Sequence, residues 1–188
     1  MSARVAVLGS GSFGTCLAIL CGREHDVALW ARDPALAAAI NQDRKNPRYL
    51  KEAEVPPGVR ATSDLDEALR DREIVICAVP SQGVRAVMAE AGARLSPEAV
   101  VVSTIKGIEP GTCFTMHRVL EDVMPASHHD RLVCLSGPSF AREVAAGKPT
   151  VVTIACKEEA HAVAVRDALS SPTFRFFFSA AVTGVELG

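Results

Sequence analysis

The stretch RVAVLGSGSFGTCLAIL, residues 4–20, decides how the rest of the chain is read. Residues 4–8 are a short run of aliphatic side chains, and residues 13–23 have the composition of a helix. Gly9, Gly11 and Gly14 stand between them in a G-x-G-x-x-G pattern. Alone the pattern is common. Between a strand and a helix it has a physical meaning. The first glycine permits a tight turn, the second lets the backbone approach a pyrophosphate, and the third lets the helix pack close to the strand. A phosphate would then rest on free N–H groups at the helix start, where the helix dipole favours its charge. The competing reading is a strand–helix turn with no ligand. A Walker A loop is excluded, because no Gly-Lys-Ser/Thr follows.

Outward from this stretch, short apolar runs alternate with Ala- and Leu-rich segments. Strands are predicted at 26–31, 59–62, 73–79, 99–105, 131–136, 150–156 and 174–178. Helices are predicted at 34–43, opened by Pro34, at 64–71, capped by Ser63 or Asp64, and at 82–95, 113–124, 140–147 and 158–170. Residues 44–58, with four basic residues and three prolines, read as a loop. Strands that are apolar throughout and separated by helices imply a parallel sheet covered on both faces. The expected fold is therefore α/β, a doubly wound, mostly parallel, Rossmann-like sheet. Ligands of such sheets bind beyond the carboxyl ends of the strands.

The bulk properties fit one domain. The chain has 188 residues, 48% of them hydrophobic but only 5% aromatic, so the core must be built from Ala, Val, Leu and Ile. A net charge of −2 with no long run of either sign argues against a nucleic-acid surface. The six cysteines show no C-x-x-C pairing and sit mostly in apolar surroundings, so they read as reduced, structural thiols. Cys113, after a Gly-Thr turn, is expected to be more exposed. No stretch reaches the ~20 apolar residues of a membrane span, and MSARVAVLG leads straight into a strand without a leader, so a cytoplasmic location is expected. The five histidines make no metal-ligand spacing, and SHHD (127–130) reads as a polar loop.

Four further places carry candidate chemistry. At the end of the second strand, LWARD places Arg32 where the adenosine ribose of a dinucleotide would lie. A guanidinium can take a 2′-phosphate in a bidentate pair and stack on adenine, which favours NADP; Asp33 behind it keeps NAD open. CAVP (77–80) ends the fourth strand, so Pro80 and Ser81 would border the nicotinamide ribose, unless they form only a turn. Lys106, at the end of the next strand and before Gly107, could bind an anionic substrate or polarise a carbonyl, or be merely solvated. Ser136-Gly137-Pro138-Ser139 leads from another strand into a helix, where N–H groups can hold an anion or Ser139 can simply cap the helix.

With these residues in place, the sequence resembles the bacterial NAD(P)-dependent glycerol-3-phosphate dehydrogenases. The matching stretches are GSGSFGT (9–15), LWARD (29–33), VPS (79–81), KGIE (106–109), SGPSFAREVAAGKPT (136–150) and GVELG (184–188). They come in family order and span nearly the whole chain. The resemblance implies interconversion of dihydroxyacetone phosphate and sn-glycerol 3-phosphate with NAD(P)H, feeding phospholipid synthesis. It implies cofactor contacts from Gly9, Gly11, Ser12, Phe13, Gly14, Arg32, Tyr49, Pro80, Lys106 and Ala141, and substrate contacts from Lys106, Gly137 and Ser139, with Lys106 assisting catalysis. Apart from the resemblance, the apolar C-terminal end suggests a partner surface, such as that of a homodimer in the full-length form.

The chain departs from the family at three points. Phe13 stands where many relatives carry Trp, and Ala181 where Asp is usual. Gly188 precedes the family's GALKN-like segment, whose lysine is the main acid/base and which leads into a helical substrate domain. Residues 1–188 are thus expected to be the cofactor-binding domain, inactive alone. The alternatives at this point are another Rossmann dehydrogenase of the hydroxyacid or ketopantoate type, and a dinucleotide-binding module without turnover.

Overall fold

A computed structural model describes residues 2–187. Met1 and Gly188, touched at either end by the reading above, lie outside them. Eight strands form one sheet: β1 (Arg4–Leu8), β2 (Asp26–Trp30), β3 (Val59–Thr62), β4 (Ile74–Cys77), β5 (Val100–Ser103), β6 (Leu132–Ser136), β7 (Thr150–Cys156) and β8 (Phe174–Ser179). Their order is β3-β2-β1-β4-β5-β6-β7-β8. The helices are α1 (Ser12–Cys21), α2 (Pro34–Asp43), α3 (Leu65–Leu69), α4 (Val84–Gly92), α5 (Met116–Val123), α6 (Ala141–Ala145), α7 (Glu159–Leu169) and α8 (Val182–Leu187). The chain order reverses at β1, which lies between β2 and β4, and that reversal opens a crevice at the carboxyl edge.

The strands are apolar on both faces because both faces are covered. Val5 and Val7 of β1, with Ile74 and Ile76 of β4, join the core under α1, α2 and α7. The alternate residues Ala6, Leu8, Val75 and Cys77 join a second core under α3, α4 and α5. Leu8, Leu17, Leu29 and Ile76 are fully buried, each worth about 1.5–3 kcal/mol relative to exposure. Local signals set the helix starts: Asp33 accepts from Ala35 N–H ahead of Pro34, and Asp64 caps α3 by accepting from Asp66 and Glu67 N–H.

Two features differ from a purely parallel sheet read along the chain. β7 runs antiparallel to β6, and β8 parallel to β7. The connection between β6 and β7 holds only the five-residue α6, about 7.5 Å of helix, too short to carry the chain back across the sheet. The segment after β8 forms α8, a helix the apolar run AAVTGVELG did not announce. Its Glu186 is buried and accepts from the His117 N–H in the first turn of α5. SHHD lies in a 3₁₀ turn, Ala126–Arg131, rather than an open loop; His128 is buried there with Nε2 3.0 Å from the Ser96 carbonyl oxygen. Among the described residues no helix is long and apolar enough to cross a membrane.

All six cysteines are free; five are buried and Cys113 is exposed. Burial pushes the thiols of Cys16, Cys21 and Cys77 up to about 12, so they pack as small hydrophobes and do not serve as nucleophiles.

Candidate functional site: a two-part groove at the carboxyl edge of the sheet

The glycines of the first loop do three different jobs. Gly9 has φ +112°, and its N–H donates to the Trp30 carbonyl at 3.1 Å, extending the parallel β1–β2 ladder to the point where the chain turns into α1. A Cβ on Gly14 would lie 1.9 Å from the Gly9 carbonyl oxygen, so α1 approaches β1 as closely as a glycine allows. A Cβ on Gly11 would meet nothing within 4 Å. Gly11 also heads α1 with no side-chain cap, so the first-turn N–H groups point to an open groove without a protein side chain filling the role. The space in front of Gly11 is thus a cradle that the polypeptide leaves clear, and it fits a dinucleotide pyrophosphate.

That groove has a volume of about 660 Å³ and is lined by Gly9, Gly11, Ser12, Phe13, Arg32, Tyr49 and Pro80 among others. A second groove of about 400 Å³ adjoins it and shares Ser12, Phe13 and Pro80; it adds Lys106, Ser139 and Ala141. The fold thus brings together predicted site residues from six separate segments of the chain. Gly14 and Gly137 line neither groove. Gly14 is buried beneath the loop, and Gly137 sits against β7, where a Cβ would come within 3.1 Å of Val152 Cα. Both shape the walls.

Lys106 is exposed, and its Nζ donates to Ser136 Oγ at 2.9 Å, joining the loop after β5 to the last residue of β6. The ammonium keeps two further donors. Its loop is anchored from below. Arg85 holds both carboxylate oxygens of Glu109 at 2.9 and 2.8 Å and also pairs with Asp122 of α5. The guanidinium, helped by Thr112, pushes the Glu109 carboxyl down to about 2. Glu109 was legible only as a letter of the KGIE motif; its tether is visible only in three dimensions.

On the adenosine side, Arg32 is exposed and forms no ion pair among the described residues. Asp33 is already engaged: its Oδ1 accepts from Ala35 N–H at 2.9 Å and its Oδ2 meets Arg48 at 2.5 Å. Arg48 beside it, with the Ala35 N–H, holds its carboxyl below the usual carboxylate range. The sequence reading missed Arg48, and it missed Asn46. Asn46 is fully buried, and its Nδ2 donates to Ser10 O and Thr15 Oγ1, both at 2.9 Å. Its Oδ1 accepts from the N–H groups of Arg48 at 3.1 Å and Tyr49 at 3.0 Å. One side chain therefore fastens the 44–58 loop to the glycine loop. The only signal was an Asn before Pro in a polar loop. Asn46→Ala strands these buried partners, and at about 1–3 kcal/mol per unsatisfied group the expected result is a lowered Tm with dinucleotide affinity falling several-fold. Titration and thermal unfolding of the same preparation check both effects.

Residues 4–162 match the family profile described as NAD-dependent glycerol-3-phosphate dehydrogenase N-terminus. The chain belongs to this family. An NAD(P)+ glycerol-3-phosphate dehydrogenase of Myxococcus xanthus is 46% identical over 186 residues, covering 98% of this chain and 56% of that protein. One from Nitratidesulfovibrio vulgaris is 44% identical over the same length. The chain thus spans about half the length of the curated relatives it matches. The solved structure of glycerol-3-phosphate dehydrogenase from Coxiella burnetii superposes with a TM-score of 0.89 at 26% identity, covering 98% of this chain and 56% of that one. A ketopantoate reductase from Ralstonia eutropha shares the fold less closely, at 0.69 and 19% identity. The cofactor of this family is NAD or NADP, and the matching profile is that of the family's N-terminal region.

Proposed function

We propose that the protein interconverts dihydroxyacetone phosphate and sn-glycerol 3-phosphate with NAD(P)H, feeding phospholipid synthesis. The observation that carries this reading is the Lys106–Ser136 contact at the junction of the two grooves. It sets a cation where the reactive end of a dinucleotide laid along the first groove would meet a small phosphorylated substrate. Gly9, Gly11, Ser12, Phe13, Gly14, Arg32, Tyr49, Pro80 and Ala141 form the cofactor side. Lys106, Gly137 and Ser139 form the substrate side. When bound, the nicotinamide supplies the hydride donor or acceptor. The protein's own part is positioning and charge: α1 N–H groups for the pyrophosphate, and the Lys106 ammonium for substrate anion and oxygen.

NADP is the favoured cofactor, because Arg32 is unpaired among the described residues while the one nearby carboxylate, Asp33, is committed elsewhere. The acid/base lysine and helical substrate domain belong to a portion of the protein beyond these 188 residues, in keeping with the length of the relatives. A cytoplasmic location fits the six free thiols. A homodimer of the full-length form fits the exposed apolar Phe177 and Phe178. The 188-residue chain is expected to bind NADPH and NADH in a fluorescence titration but not to reduce dihydroxyacetone phosphate, whereas the protein carried through its downstream portion does. NADPH oxidation that stays at background in that longer protein would sink the proposal.

A further inference from the structure

We infer that Arg48 is a determinant of dinucleotide choice, exchanging its partner Asp33 for the 2′-phosphate of NADP(H). The inference rests on the cofactor reading above and adds a residue and a switch to it. Arg32, Asp33 and Arg48 line the same groove, and of the two guanidiniums only that of Arg48 meets the carboxylate. Asp33 is neutralised by Arg48. A cofactor with a free 2′-hydroxyl leaves that pair intact and meets a carboxylate whose two oxygens are each already engaged. A 2′-phosphate brings about two negative charges and three acceptor oxygens. It gives Arg32 a partner and competes with Asp33 for the Arg48 fork, which suits bidentate oxyanions.

Arg48 is placed for this exchange. Its backbone is pinned by Asn46, so the loop need not rearrange. Its side chain is 55% exposed and its one ion pair among the described residues is with Asp33, so the guanidinium can swing between partners. No other charged side chain lines this groove.

The test measures dissociation constants of the wild-type chain, Arg48→Ala, Arg48→Lys and Asp33→Asn for NADPH, NADH, adenosine 2′,5′-bisphosphate and AMP. Asparagine at 33 keeps the α2 cap and removes only the charge. For Arg48→Ala the expected loss is about tenfold for NADPH and the bisphosphate, the scale of one charge-assisted hydrogen-bonded pair, with NADH and AMP nearly unchanged. Lysine should recover part of it, as a charge without a fork. Asp33→Asn should tighten NADPH several-fold, an effect that shrinks in high salt. Equal losses for phosphorylated and unphosphorylated ligands in Arg48→Ala, with a wild type that still prefers NADPH, would overturn the role of Arg48 alone. A wild type that binds NADPH no tighter than NADH would instead remove the NADP preference, and with it the ground for this inference. A wild type that binds neither would remove the cofactor reading itself.

Discussion

Gly14→Ala is expected to destabilise the fold severely, whereas Gly11→Ala, three residues earlier, leaves the fold intact and weakens cofactor binding. At Gly14 the added methyl would lie 1.9 Å from a backbone oxygen and 3.3 Å from Ala78 Cβ. Neither can yield as the end of a flexible side chain would. α1 must lift from β1 and expose part of the core that contains Leu17 and Ala18. Effects above about 4–5 kcal/mol belong to such backbone clashes, against a total stability of about 5–15 kcal/mol. In a domain of this size that is a Tm drop of about 10 °C or more, or insoluble protein. At Gly11 the methyl meets open space and the φ of −68° suits any residue. Its only obstacle is a ligand. Thermal unfolding should leave Gly11→Ala within a few degrees of wild type while NADPH titration shows at least a tenfold weaker complex. The same Tm loss in both variants would refute this division of labour.

Lys106→Ala should be the most damaging substitution for turnover in the longer protein. It removes a positive charge at the junction of the grooves and leaves Ser136 Oγ without its partner. A preorganised cation or donor at a developing charge is worth about 10²–10³ in rate. A fall of that order in kcat/KM for dihydroxyacetone phosphate is expected, with NADPH affinity changed only a few-fold. Tm should hardly move, because the side chain is exposed and its loop is anchored independently by Glu109 and Arg85. Unchanged kinetics would reduce Lys106 to a solvated surface charge.

The part of the molecule legible in the sequence is the part specified locally. β1, α2, β3 and β7 have the predicted limits because periodicity, Pro34 and the runs of Val and Ile are local signals. Asp64 resolves the choice of α3 cap. The glycine loop and Arg32 stood out because each lies between a strand end and a helix start, and Lys106 because it follows the end of β5. What was not legible depends on contacts far apart in sequence. The direction of β7 is set by how the chain turns back after β6. α8 is held by Glu186 reaching an N–H sixty-nine residues earlier. Asn46 and Arg48 acquire meaning only when a loop without periodicity folds over residues 9–15. Polar residues in a loop carry no pattern that separates a strut from a solvated side chain.

The reversal of β7 has a consequence for the speed and thermodynamics of binding. Because β7 pairs back along β6, with Ser136 opposite Thr153, the segment from Gly137 to Pro149 is closed at both ends like the tip of a hairpin. Its loop-closure entropy is already spent when the sheet forms. A ligand arriving there has little chain left to order, so association should be fast and its entropic penalty small. A parallel strand at this position would have needed a long crossover and left the same residues in a slacker arc. The antiparallel strand thus makes this edge of the second groove a short closed rim, and leaves adjustment to the exposed Arg32 and Arg48 side chains of the first groove.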